Sequence, residues 1–76
     1  MKPTLQQHND YLARRSLPGV AFAHNSYVAI VGGEHTGNSG SLVSVESLGN
    51  DPLYLVELES GSGVLVQQSC LRVHEA

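Results

Sequence analysis

The sequence predicts an all-β fold, a small five-stranded barrel preceded by one short N-terminal helix. Beyond residue 26, apolar side chains recur at every second position, the period of a strand with one buried face. Clusters of Gly, Asn, Asp, Ser and Pro punctuate those runs at the spacing of short hairpins. The chain has 76 residues, 41% hydrophobic and 14% charged, which suits one small domain with a core. Only 5% are aromatic and none is Trp, so that core is expected to be aliphatic. Residues 1–25 are assigned to the helix and an extended connector, and residues 26–76 to the barrel.

Thr4-Leu5-Gln6-Gln7 has the Thr-x-x-Gln form of a capping box, in which hydroxyl and carboxamide satisfy each other's backbone N–H groups. Leu5 and Leu12, seven apart, fall on one face with His8 between them and Tyr11 beside them. Arg14 and Arg15 are expected in the last turn, where the helix dipole favours cations, and Pro18-Gly19 is expected to stop the helix. A helix of about 11 residues is marginal alone in water. Leu5, Leu12, Leu17 and Phe22 are therefore expected to dock on the barrel or on another chain. Val20 to Asn25 reads as an extended connector or, alternatively, a short first strand.

Tyr27 to Val31 reads as the first strand, followed by a glycine-rich stretch from Gly32 to Gly40. Ser41 to Leu48 reads as the second, with Val43 and Val45 inward and Ser44 and Glu46 outward. After the turn Gly49-Asn50-Asp51-Pro52, the segment Leu53 to Glu59 places Tyr54, Val56 and Leu58 together. Ser60-Gly61-Ser62-Gly63 turns into a strand ending at Gln67, and Gln68-Ser69-Cys70 forms a tight turn before Leu71 to His74. The expected inward set is Val28, Ile30, Val43, Val45, Tyr54, Val56, Leu58, Val64, Val66 and Leu71. Leu42, Leu53 and Leu55 fall on the opposite phase, which points to an apolar surface for association. Closing the strands into a barrel removes sheet edges that invite aggregation.

This order of elements resembles an SH3-like barrel. Residues 27–48 are similar to the KOW motif of SH3-like barrels in ribosomal and transcription-elongation proteins. The likeness rests on Val28-x-Ile30, then Gly33-x-x-x-Gly37-x-x-Gly40-x-Leu42-Val43. Tyr54-x-Val56-Glu57-Leu58, Gly61 and Ser69-x-Leu71 resemble the later strands of such barrels. The resemblance implies that Gly37 and Gly40 serve the turn and close backbone approach where the first loop enters the second strand. It also implies an alternative function, RNA binding, here through the basic N-terminal helix, since the first loop carries Glu34 and His35 and no Lys or Arg. In length and in Tyr54-x-Val56-Glu57 before a hairpin, the chain is similar to type II dihydrofolate reductases, oligomers of SH3-like barrels. That likeness implies a second alternative, an NADPH-dependent oligomeric enzyme. Where those enzymes carry Val-Gln-Ile-Tyr on the substrate-contacting strand, this chain has Val64-Leu65-Val66-Gln67.

Charge and motif content narrow the chemistry. Residues 1–25 carry Lys2, Arg14 and Arg15 against Asp10, a net of +2, whereas Arg72 alone opposes six carboxylates in the remainder, a net of −5. Phosphate-backbone binding needs several cations on one face, so nucleic acid is not an expected partner of the barrel. Gly37 is followed by Asn38-Ser39 and lacks the lysine of a phosphate-binding loop. His24, His35, His74 and Cys70 are a donor set that zinc accepts, but no pair has a metal-site spacing, and no metal is assigned. Cys70, the single cysteine, excludes an internal disulfide and reads as a small buried residue. No Gly-x-Ser-x-Gly elbow occurs. Glu57 and Glu59 share a strand face about 7 Å apart, and read as solvated rather than as a catalytic pair.

The expectation is a non-enzymatic interaction module with no cofactor, bacterial and cytoplasmic, that contacts protein and self-associates. The N-terminus has no secretory signal pattern, and no apolar run approaches the roughly 20 residues that cross a bilayer. Loops 32–40 and 49–52 are the expected contact surface. Its candidate residues are Glu34, His35, Thr36, Asn38, Asn50 and Asp51, with Leu42, Leu53 and Leu55. Arg14 and Arg15 are the candidates for meeting an acidic partner.

Overall fold

In a computed structural model that describes residues 1–74, the capping box forms at the start of the helix α1 (Leu5–Leu12). Gln7 N–H donates to Thr4 Oγ1 at 3.1 Å and Thr4 N–H to Gln7 Oε1 at 2.9 Å. The helix stops earlier than Pro18 requires. Arg14 adopts φ +62°, its N–H bonds to Tyr11 O, and Arg15 N–H reaches back to Asp10 O. This is a Schellman termination with arginine where glycine is usual, so Arg14 and Arg15 lie beyond the helix rather than in its last turn. The buried face is also different from the expected one. Tyr11 is 2% exposed, whereas Leu5 and Leu12 remain 76% and 41% exposed. Tyr11 wins because its ring reaches Tyr54 and His24, with centroids 6.4 and 6.0 Å away.

Five antiparallel strands follow: β1 (Tyr27–Ile30), β2 (Ser39–Ser47), β3 (Leu53–Leu58), β4 (Gly63–Gln67) and β5 (Leu71–Val73). They pair in the order β4-β3-β2-β1-β5. A single 3₁₀ turn, Gln68–Cys70, joins the two outer strands β4 and β5. The long strand β2 pairs with β1 through Ser39–Ser41 and with β3 along most of its length. The residues 1–25 are not separate from this sheet. Tyr11 and Leu17 belong to the same buried cluster as the strand residues, and Phe22 packs against it. Asn25 N–H donates to Leu42 O, Leu42 N–H to Ser26 O, and Ala21 N–H to the Gln68 side chain.

The core contains Val28, Ile30, Val45, Tyr54, Val56, Val66 and Leu71, as the alternating pattern requires. Leu42 corrects the pattern, because it is completely buried rather than outward. The cause lies in β2. Leu42 faces Val56 and Ser44 faces Leu55, so two residues of β2 span one of β3, and the same happens between Val45 and Ser47. Each extra residue is a β-bulge that reverses inside and outside beyond it. Val43 therefore sits only half-buried, and Ser44 is buried instead of outward, with its hydroxyl donating to Glu46. Leu58 and Val64, also expected inside, are half-buried near the ends of β3 and β4. Gly40 marks the tightest approach of β2 to β3: a Cβ there would lie 2.2 Å from the Glu57 carbonyl oxygen.

Candidate functional site

The β1–β2 loop is built from its own polar groups. Gly33 and Gly37 take φ +81° and +96°, conformations that suit glycine. Gly37 N–H donates to Ile30 O and Ile30 N–H to Asn38 O, which pins the loop's two ends together. Thr36 Oγ1 donates to Gly33 O at 2.7 Å, and Asn38 Nδ2 donates to His35 O at 2.9 Å. Both side chains hold the loop's shape and remain exposed. Asp51 is likewise structural: its carboxylate accepts from Ser69 N–H at 2.8 Å and Ser69 Oγ at 2.7 Å, fastening the 3₁₀ turn to the β2–β3 turn. Asn50 lies exposed in that turn.

Gly32, Gly33, Glu34 and His35 of the β1–β2 loop line one side of a cleft. Between them and Leu53, Leu65, Gln67 and Cys70 the cleft holds about 240 Å³. Leu55 is directly opposite Leu65 across β3 and β4, and Leu53 is opposite Gln67. Leu53 and Leu55 are half-buried, and Leu65 is 53% exposed. Three leucines thus share the outer face of β3 and β4, with the exposed carboxylates of Glu34 and Glu57 at its margin. Of the expected contact residues, the structure gathers Glu34, His35 and Leu53 at one cleft, places Leu55 beside it, and removes Leu42 to the core. Leu65, not among the expected contact residues, joins them, and its sequence signal is an apolar residue on the outward phase between Val64 and Val66. Cys70 is half-buried, with its Sγ beside Gly32, rather than enclosed in the core.

The other candidates are dispersed. Arg14 Nη1 donates to His24 O at 3.1 Å, and Arg15 pairs with Asp10 at 3.1 Å. His24 Nδ1 lies 2.9 Å from Val43 O, His35 sits in the first loop, and His74 packs edge-on against Tyr27. Among the described residues, no group of three or more His, Cys, Asp or Glu is placed to hold a metal ion. Glu57 and Glu59 do not share a strand face, because β3 ends at Leu58 and Gly61 N–H closes a turn onto Leu58 O. Glu59 instead accepts a hydrogen bond from the Tyr27 hydroxyl, and this bond holds the Tyr27 phenol above its ordinary pKa. Among the described residues, no helix is long and apolar enough to cross a membrane. Comparison of the chain with protein families, curated proteins and solved structures finds no match.

Proposed function

We infer that this chain is a non-catalytic SH3-like barrel that binds protein, and that the partner is a second copy of itself. The strand order β4-β3-β2-β1-β5 and the 3₁₀ turn before the last strand support the barrel reading. One observation carries the functional reading: Leu53, Leu55 and Leu65 stand together on the outside of the sheet, beside a cleft, with acidic residues around them. A surface leucine standing alone is ordinary, whereas a contiguous group of them next to a concavity marks an interaction site.

The same molecule carries the complementary surface. Leu5 and Leu12 form an exposed stripe along α1, and the segment around them bears Lys2, Arg14 and Arg15. On this reading the exposed helix leucines of one copy, flanked by Lys2 and the Arg14-Arg15 turn, meet the acidic leucine face of the next. Contact between two different surfaces is heterologous, and it produces a closed ring or an open chain according to the rotation between copies.

Complementation of two variants tests this arrangement. Leu12→Glu disables the helix surface and Leu65→Glu the sheet surface, both at exposed positions where folding is spared. Each variant alone is expected to sediment as a monomer, and their equimolar mixture as a dimer, because one intact pair of surfaces remains. A wild-type chain that associates while the mixture stays monomeric overturns the head-to-tail reading. A wild-type chain that never associates removes self-association altogether.

A further inference from the structure

Strand β4 pairs with the rest of the sheet on one side only. The 3₁₀ turn joins the outer strands β4 and β5, but among the described residues no ladder connects them. The phase of the β3–β4 ladder fixes which backbone groups β4 leaves over. Leu58 N–H donates to Ser62 O at 2.8 Å at one end, and Gln68 N–H donates to Pro52 O at 2.7 Å at the other. Hydrogen-bonded pairs alternate along an antiparallel ladder, so between those ends Val64 and Val66 bond to β3. The N–H and C=O groups of Gly63, Leu65 and Gln67 therefore turn outward. All three residues are exposed, and among the described residues no other hydrogen bond takes those groups. Sheet edges are commonly guarded against strand addition by a charge, a proline or a bulge. Gly63–Gln67 has none of these, and its register with β3 is unbroken. The edge of β5 differs: it is three residues long, contains Arg72, and its Leu71 N–H already bonds to Gln68 O.

We propose that the free edge of β4 binds an extended segment of a partner protein, added as an antiparallel sixth strand with the pattern basic-x-apolar-x-basic. Backbone hydrogen bonds to Gly63, Leu65 and Gln67 supply affinity, and side chains at alternate positions supply specificity. Opposite Leu65, the apolar side chain of the added strand extends the row formed by Leu55 and Leu65. Carboxylates stand at both ends of that row. Glu57 is directly opposite Gly63, which has no side chain to block a basic residue reaching over it. Glu34 lines the same cleft as Leu65 and Gln67. Both carboxylates are exposed, and neither forms an ion pair among the described residues. That charge favours a basic segment over a second β4, which brings only further carboxylates to the edge. The site is built from backbone groups and does not depend on self-association, although Leu65 lies in both surfaces.

The probe is the acetylated and amidated peptide Lys-Val-Leu-Val-Lys, titrated into the isotope-labelled full chain while backbone amide shifts are followed by NMR. Saturable shifts are expected from Gly63 to Gln67. In the antiparallel register the Leu and Lys amides of the peptide face β4, and the two Val amides face solvent. N-methylation of the Leu amide is therefore expected to weaken binding about tenfold or more, and N-methylation of either Val amide to leave it within about threefold. The peptide Glu-Val-Leu-Val-Glu is expected to bind about threefold more weakly or worse. Absence of saturable shifts with the parent peptide up to about 1 mM overturns the proposal. So does any other methylation pattern, because a peptide lying across the leucine face tolerates all three methyl groups alike. Equal binding of the glutamate peptide overturns the basic pattern. The same titration of Leu12→Glu separates strand addition from self-association: unchanged binding is expected there, and binding that this variant loses overturns the edge site.

Discussion

Strands β2 and β3 lie side by side with opposite characters. β3 alternates without interruption: Tyr54 and Val56 are completely buried, while Leu53 and Leu55 point to the other face and remain half-exposed. β2 carries two bulges against it, and each reverses the assignment of every later residue. The unbroken strand therefore displays leucines to solvent and the bulged strand hides one. What separates an outward leucine from a core one here is local backbone count, since Leu42 and Leu55 have the same chemistry. Burial of leucine is decided by register as much as by hydrophobicity.

That contrast can be broken at its tightest point. Gly40→Ala forces a Cβ onto the Glu57 carbonyl in the backbone of β3, and is expected to cost more than about 4 kcal/mol, enough to unfold a domain this small. Gly63→Ala meets only the flexible end of Leu55 at 3.3 Å and is expected to change stability by less than about 1 kcal/mol in the same urea titration. The next effect in size separates the two phases of β2. Leu42→Ala is expected to cost about 2–5 kcal/mol as a buried truncation, and Val43→Ala clearly less, despite standing one residue away. A larger loss at Val43 than at Leu42 means that β2 runs without its bulge.

A smaller, pH-dependent effect sharpens the role of the tyrosines. Burial raises the pKa of Tyr11 and Tyr54 in the folded chain relative to the ordinary value of 10.0. The unfolded state then releases those protons first, so the contribution of these two phenols to stability is constant below about pH 10 and falls as pH rises above it toward the folded values. Chemical denaturation across that window is expected to show the fall, with Tyr11→Phe losing part of it; a flat profile contradicts the burial of both phenols. The smallest effect belongs to the helix. Thr4→Ala removes the cap and is expected to cost about 1 kcal/mol, read as a lower melting temperature.

Much of this architecture is legible in the residues. Alternation locates β3 and β4, the Thr4 and Gln7 pair marks the helix start, and Gln68-Ser69-Cys70 marks the last turn, because each signal is local and depends on chemistry within a few positions. The bulges in β2 are not legible, since they arise from pairing with a strand that is distant in sequence. The helix stop is hidden for a related reason: Arg14 takes a left-handed conformation that arginine does not advertise. At the candidate site, Glu34, His35 and Leu53 are readable as a loop and an outward leucine. Their meeting with Leu65 and Cys70 at one cleft depends on tertiary placement of the first loop beside the 3₁₀ turn, which no local signal carries. Thr36, Asn38 and Asp51 are polar loop residues whose part in stabilising their own turns is not visible in sequence.

The proposed self-association joins the exposed helix leucines of one copy of this 8.1 kDa chain to the acidic leucine face of the next. Sedimentation equilibrium across a concentration series, up to about 100 μM, tests it most directly. The account expects the mean mass to rise with concentration, to fall back as salt screens the opposed charges, and to stay at the monomer value in Leu65→Glu. A wild-type mass fixed at the monomer throughout, or association that Leu65→Glu leaves intact, contradicts it.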